Sequence, residues 1–528
     1  MSSSRLPVGL GLAGLAAGAL AALPLVYLTI RSAGDGFDGI VDTLQDRDTR
    51  HLLFQTVKLA VAVTAGSVLI GVPLAWLTTR TDLPGRRIFA VLVALPLAVP
   101  SYVAGYTFVT AFRPTGLAQE WLAPLGVDRF PSLYGFWGAT LVLIFTTYPY
   151  VLLTVRAALA GIDPALEEAA RSLGRSPRAT FTSVVLPQLR PAMVAGALLV
   201  ALYTLHDFGA VNLLRYDSFT RAIYQQYQAT FDRGQGATLG LFLVVLTLVV
   251  LAGETRARGR SGVARAAAAR PAVIRLGRWR WPAACACGLV VTVALAVPVG
   301  IIAYWLFRGV AEGEPLSAVF TWGARSLEIA ALAGAGALVV AWPVALLSAR
   351  HPGRLARLVD RASFMGFALP GLVVALSLVF LGIRVVPGLY QTRTMLVAAY
   401  VILFLPQAVG ALRASLLQIS PSLEEAAQGL GCRRRAVWWR VTLPLVRPGA
   451  LAGFGLVFLT AMKELPAALL LSPIEFDTLA KAVWSATNDA LFAQAAAPAL
   501  AIVALSSLPL LFEGRRGGGR RVRFEQKI

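Results

Sequence analysis

Two stretches decide how this chain is read. They are Glu168-Ala169-Ala170, Gly174 and Leu186-Pro187, and then Glu425-Ala426-Ala427, Gly431 and Leu443-Pro444. Each residue of the second copy lies 257 positions after its partner (425 less 168; 444 less 187). The pattern is Glu-Ala-Ala, three residues, Gly, nine residues, then Val-x-Leu-Pro. It continues to Arg190-Pro191 and Arg447-Pro448, and to Gly196 and Gly453. A polar segment repeated inside an apolar chain implies a task that uses two copies.

The surrounding chain reads as membrane. Of 528 residues, 57% are hydrophobic and 14% charged, against about 25% charged in a soluble domain. Apolar runs occur at 8–30, 52–78, 88–112, 135–160, 190–212 and 236–252, then at 283–307, 326–348, 362–383, 394–417, 447–471 and 490–512. Such lengths suit helices, which need about 20 apolar residues to cross a bilayer. Lipid permits helix bundles or closed barrels, and these runs lack the alternation of barrel strands. The expectation is an all-α integral membrane protein of about twelve helices. The first run is too long for a signal-peptide core and lacks a clear cleavage site, so it reads as a retained helix.

The net charge of +21 does not point to nucleic acid. The basic residues are nearly all Arg and sit in short segments between apolar runs, not on a soluble basic face. Arg80, Arg86 and Arg87 follow the second run; Arg171, Arg175 and Arg178 lie in the first repeated segment. Arg350, Arg354, Arg357 and Arg361 follow the eighth run, and Arg433, Arg434, Arg435 and Arg440 lie in the second copy. The intervening connections are acidic or mixed, as in 31–51 with Asp35, Asp38, Asp42, Asp46 and Asp48. The positive-inside rule then puts both repeated segments and both termini in the cytoplasm.

Each copy, about 163–190 and 420–447, carries helix signals. Asp163-Pro164 and Ser420-Pro421 place a capping side chain before a proline at the first helical position, with Glu167-Glu168 and Glu424-Glu425 near the first turn. Gly174 and Gly431 suit a left-handed helix end. Ser176-Pro177 opens a second short helix, expected to reach Leu186-Pro187 and turn there towards the membrane. Each copy therefore reads as a plug of two helices, with small residues at 169, 170, 426 and 427 that let another protein approach closely.

The repeat extends beyond the plugs. Thr56-Val57-Lys58-Leu59-Ala60, Pro73 and Arg80 parallel Ser326-Leu327-Glu328-Ile329-Ala330, Pro343 and Arg350 at an offset of 270. Leu95-Pro96 parallels Leu369-Pro370 at 274, which puts 17 extra residues (274 less 257) in the first half, most naturally in 113–134. Residues 1–252 and 283–528 thus form two parallel six-helix units, and the Arg-rich stretch 253–282 reads as a solvated linker.

This doubled Glu-Ala-Ala…Gly…Leu-Pro pattern resembles the EAA motif of ABC importer permeases, found in the cytoplasmic loop before the penultimate helix of a six-helix unit. The resemblance covers nearly the whole chain. One departure is Val184 and Val441, where the family usually has isoleucine. The resemblance implies that Glu168, Ala169, Ala170, Gly174, Leu186, Pro187 and Glu425, Ala426, Ala427, Gly431, Leu443, Pro444 form two coupling sites. Each would seat in one subunit of an ABC ATPase homodimer, while an extracytoplasmic substrate-binding protein delivers cargo to the outer loops. The cell would be bacterial and the location its inner membrane. A phosphate loop needs Gly-Lys-Ser/Thr. None of Lys58, Lys463, Lys481 and Lys527 follows glycine, so this chain is expected to hold no cofactor, ATP and magnesium belonging to the ATPase.

Two acids mark a candidate path. Asp207 and Glu464 are equivalent at the 257 offset, each 17 residues after Arg190 or Arg447. That is about 25 Å along a helix, near the far membrane surface, where ionisable groups line cavities or pair. The plain alternative is pairing with Lys463, Arg215 or His206. With Tyr102 in Leu95-Pro96-Leu97-Ala98-Val99-Pro100-Ser101-Tyr102, these stretches resemble ferric-iron permeases of the fused type. A hard ferric ion suits oxygen donors. Thiamine permeases are similar, and thiamine or another small cation such as a polyamine is the alternative cargo. A twelve-helix secondary transporter also has parallel halves, but has no use for the same plug twice. His51, His206 and His351 have no ligand spacing, so no resident metal is expected. Trp438-Trp439 reads as an interfacial anchor, with a part in the partner contact as the alternative.

Overall fold

The computed structural model describes residues 7–33, 36–113, 116–126, 132–229, 233–259 and 273–519. Helices and their connections make up these segments, and among them the β pairing is one isolated bridge, Thr81 to Ile274. Nine described helices are long and apolar enough to cross a membrane. Two bent helix pairs also qualify when each is taken as one span, and Phe492–Leu508 is a shorter apolar helix. Together they fall on the twelve apolar runs in order.

Two features depart from a row of straight spans. The second span begins at Arg47 and runs 34 residues to Arg80, so most of the expected 31–51 loop is helical, with Gly36–Gln45 as a separate helix. At about 1.5 Å per residue this span is about 51 Å long, well beyond an apolar core of about 30 Å. Its Arg80 end therefore projects to where the plug sits. The third run of each half is a bent pair, the second of them bent by 105°. Each bend is followed by a proline in extended conformation, Pro100 (ψ 148°) and Pro370 (ψ 143°), which caps the next helix, Ser101–Phe112 or Gly371–Arg384. Proline biases the residue before it away from helix, and Val99 is extended.

These prolines correct the register of the repeat. Pro100 corresponds to Pro370, so the offset here is 270, as at Arg80 and Arg350, and not 274. The fourth spans, Phe136–Gly161 and Arg393–Gln418, start at an offset of 257. The first half therefore has 13 extra residues (270 less 257), lying between Phe112 and Phe136.

The chain forms two compact units, and neither is a sequence half. One consists of Met1–Leu44, Ile223–Val244 and Leu316–Ala482; the other of Gln45–Ala222, Val245–Pro315 and Val483–Ile528. In the first unit Ser317–Arg350, Arg393–Gln418 and Leu443–Met462 pack on one another. Against them lies Val8–Ala33 from the opposite sequence half, which also touches Arg354–Ser363 and Gly371–Arg384. Its buried Gly11, Gly14, Ala17, Gly18 and Ala21 form the contact stripe. Small residues are how helices associate where water supplies no driving force. In the second unit the equivalent three spans, Arg47–Arg80, Phe136–Gly161 and Leu186–His206, pack together. Val297–Ala311 from the other half packs there on Ser101–Phe112 and Phe492–Gly519.

The repeated Gly196 and Gly453 mark where the fifth span meets the fourth. A Cβ on Gly196 would lie 2.8 Å from Val151 Cα, and one on Gly453 would lie 3.0 Å from Ala411 Cβ. The Arg-rich stretch is not a free tether at its far end. Its first residues continue the helix Arg233–Gly259, and 260–272 lie outside the described residues. From Ile274 on, the chain bonds back: Ile274 N–H donates to the Arg80 carbonyl (2.8 Å), and Asp82 N–H to the Ile274 carbonyl (3.2 Å). Leu276 N–H donates to the Asp82 carboxylate at 2.8 Å.

Candidate functional site

Both plugs fold from their caps. Pro164–Ser172 begins at Asp163, whose carboxylate accepts the Ala165 N–H at 3.0 Å; Pro421–Gly429 begins at Ser420, which accepts the Ser422 N–H at 3.4 Å. Both helices end the same way. Gly174 N–H donates to the Arg171 carbonyl and Arg175 N–H to Ala170; Gly431 N–H donates to Gln428 and Cys432 N–H to Ala427. This double bond needs a left-handed residue, and Gly174 (φ +82°) and Gly431 (φ +86°) supply it.

The expected turn at Leu186-Pro187 does not occur. The second plug helix runs on through Phe181–Val185, a π-helical stretch, into the fifth span Leu186–His206. In the other plug Trp438–Thr442 does the same before Leu443–Met462. A proline within a helix clashes with the carbonyl four residues back and offers no N–H. Widening the preceding turn relieves this, with Leu186 N–H donating to Phe181 and Leu443 N–H to Trp438, five residues back. The Leu-Pro of the motif therefore sets a rigid join between plug and span. A ring seats each join on the second span: Phe181 meets Trp76 edge-on (4.7 Å between centroids), and Trp438 meets Trp342 (5.7 Å). The Trp438-Trp439 pair divides accordingly, since Trp438 packs inward while Trp439 is exposed.

The carboxylate beside the motif, not the one within it, fastens each plug. Glu167 pairs with Arg80 at the end of the second span, with 5% and 1% side-chain exposure. Glu424 pairs with Arg350 at 3.1 Å, with 24% and 14% exposure, and also accepts from Thr442. Glu168, Ala169, Glu425 and Ala426 face outward, as do Gly174, Gly431, Pro187 and Pro444. Ala170 is buried, and Ala427, Leu186 and Leu443 are half-buried. Beside them stand leucines that the sequence reading passed over. Leu166 and Leu423 are 49% and 51% exposed, Leu173 and Leu430 83% and 86%. Near-equal exposure of four large apolar side chains at one repeat offset outlines two matching apolar faces. The offset alone, applied to every leucine of the motif, picks them out.

The path residues are placed differently from simple ion pairs. Asp207 ends the fifth span and starts the short helix Gly209–Leu213; its carboxylate accepts the N–H groups of Ala210 (3.0 Å) and Val211 (3.3 Å). Glu464 lies between Leu443–Met462 and Pro466–Leu471, and its Oε1 is buried with no hydrogen-bond partner among the described residues. No ion pair reaches either acid among the described residues. Tyr102 is buried at the start of Ser101–Phe112, packed on Gly209. Asp207, Tyr102 and their neighbours are thus together, while Glu464 sits against Gly371, the first residue of Gly371–Arg384.

Residues 67–255 and 341–513 each match the family described as binding-protein-dependent transport system inner membrane component. The chain belongs to that family. As an ABC importer permease it is a multi-pass inner-membrane transport subunit and not a catalytic one, and it carries the family's unit twice in one polypeptide. It is 33% identical over 495 residues to the Fe(3+)-transport system permease protein FbpB 2 of Haemophilus influenzae, covering 92% of this chain and 94% of that one. The sulfate transport system permease protein CysT of Synechococcus elongatus is 33% identical over 234 residues, 43% of this chain and 83% of that one. The Escherichia coli sulfate permease protein CysW is 26% identical over 245 residues, 46% of this chain and 82% of that one. The similarity to single-unit permeases spans about one half of this permease, and the similarity to the Fe(3+) permease spans both.

Proposed function

We propose that this permease is the membrane subunit of an ATP-driven importer of ferric iron. The observation that carries the reading is the end-to-end similarity to a fused permease named for Fe(3+) transport. The two exposed faces at Leu166, Glu168, Ala169 and Leu173, and at Leu423, Glu425, Ala426 and Leu430, are docking sites for the two subunits of an ATPase dimer. ATP and magnesium are held there and not on this chain. Closure of the dimer pushes on each plug. The unbroken π-helical join then carries that displacement into the fifth span, whose far end bears Asp207 or Glu464.

The Arg-rich side, with both termini, faces the cytoplasm. A substrate-binding protein docks on the opposite loops, and cargo passes Asp207, Glu464 and Tyr102. Sulfate is disfavoured although two relatives are named for it. Two acids held in no ion pair among the described residues suit a hard cation better than a dianion. Thiamine is the rival cargo. The test is uptake by proteoliposomes holding the permease, its ATPase and its binding protein, with ferric iron and thiamine offered separately. ATP-dependent iron uptake supports the reading; thiamine uptake without iron uptake overturns it.

A further inference from the structure

We infer that the first half of the permease carries an oxygen-lined transit station for a hard cation around Asp207, and that the second half has no counterpart. The inference rests on the proposed import of ferric iron and places the ligand-bearing step in one half. Asp207 is 6% exposed and has no ion-pair partner among the described residues, an arrangement that in a membrane span points to a cationic visitor. Ser101 and Tyr102 begin the helix Ser101–Phe112 beside it, with Tyr102 packed on Gly209, two residues after Asp207. Tyr203 lies one helical turn before Asp207 on the fifth span, and its ring is 5.7 Å from that of Tyr150. Ser101 and Tyr102 are buried, whereas Tyr150 and Tyr203 are half-buried and leave the cluster open on their side. Three separate elements thus bring one carboxylate, three phenols and one hydroxyl to one place, and every donor is a hard oxygen.

The second half is built from different side chains. The residues equivalent to Tyr150 and Tyr203 are Gln407 and Thr460, which bond each other at 3.1 Å. Those equivalent to Ser101 and Tyr102 are Gly371 and Leu372. Glu464 stands where Asp207 does, and the phenol beside it, Tyr400, comes from a different position and donates to the Glu464 main-chain carbonyl at 3.3 Å. The acid is thus common to both halves, and the phenols at 102, 150 and 203 belong to the first.

The test uses the complete complex with ferric nitrilotriacetate as probe. Wild type is expected to show a visible phenolate-to-iron charge-transfer absorption and ATP-dependent iron uptake. Tyr150→Gln with Tyr203→Thr installs the second half's own pair. It should abolish the absorption and lower uptake at least tenfold while ATPase co-purification is retained. Asp207→Asn should do the same, whereas Glu464→Gln should slow uptake and leave the absorption in place. Should the double variant lose its ATPase, Tyr203→Phe, which removes one oxygen and little volume, carries the test through a weakened absorption. A wild type that imports iron, with unchanged uptake and spectrum in these variants, overturns the station alone. A wild type that imports thiamine and no iron overturns the cargo assignment as well.

Discussion

Replacing Arg80 by methionine tests how the first plug is held. The Arg80–Glu167 pair is almost wholly buried, with 1% and 5% exposure. Two of the guanidinium nitrogens, Nε and Nη1, find no hydrogen-bond partner among the described residues, so the intact pair is itself expensive to bury. Removing one partner is worse, because Glu167 is left charged and buried, at a cost of about 3–5 kcal/mol. At about 1.4 kcal/mol per factor of ten, the released plug should become about a hundred- to a few-thousand-fold more populated. The Arg350–Glu424 pair is more exposed, 14% and 24%, and its loss should cost nearer the ~1 kcal/mol of surface pairs, about a fivefold change. The assay is limited trypsin digestion of the solubilised permease, at the exposed Arg171, Arg175 and Arg178 for the first plug and at the exposed Arg433, Arg435 and Arg440 for the second. Under conditions where reclosing outpaces cleavage, the rate reports the open population. Arg80→Met with Glu167→Met together should return towards wild type, since an apolar pair of similar volume is tolerated. Equal digestion of Arg80→Met and Arg350→Met, or no change in either, would refute the reasoning.

Three further outcomes follow from the same structure. Gly174→Ala forces an L side chain into φ +82° and should destabilise the first plug by about 1–3 kcal/mol, read as faster cleavage at Arg171 without loss of the permease from the membrane. Ile274→Pro deletes the N–H that bonds the Arg80 carbonyl and should loosen the first plug but not the second, seen by hydrogen exchange in the two loops. Leu173→Asp together with Leu430→Asp should lower ATPase co-purification at least tenfold with unchanged thermal stability, because both side chains are more than 80% exposed; retained co-purification would reject these faces as docking surfaces.

Much of this was legible in the sequence because the chemistry is local and repeated. Cap residues, Pro after the cap, and Gly at the helix end act within a turn, so Asp163, Ser420, Gly174 and Gly431 could be read without a fold. Span count followed from run length. What was not legible depends on distant partners. Nothing local distinguishes Glu167 from Glu168; only the approach of Arg80, 87 residues earlier, makes the first structural and leaves the second outward. Leu-Pro looked like a turn because proline usually ends a helix, and a widened turn that absorbs the ring has no sequence mark of its own. The exchange of terminal helices between halves was also hidden, since the small-residue stripe of Val8–Ala33 fits any close neighbour. At Asp207 the position was readable and the environment was not. Its capping N–H groups arrive through the break in the fifth span, and Ser101 and Tyr102 through the bend that precedes them.

The central claim, that two equivalent plugs receive force from a separate ATPase, is tested most directly by cross-linking in the assembled complex. Leu173→Cys and Leu430→Cys would be introduced one at a time, with Cys432 replaced by serine, and treated with a short thiol–amine reagent. Each position is expected to link to one ATPase subunit, and ATP is expected to change the yield at both. Linking at neither position, or at one with the other inert in a fully active transporter, would contradict it.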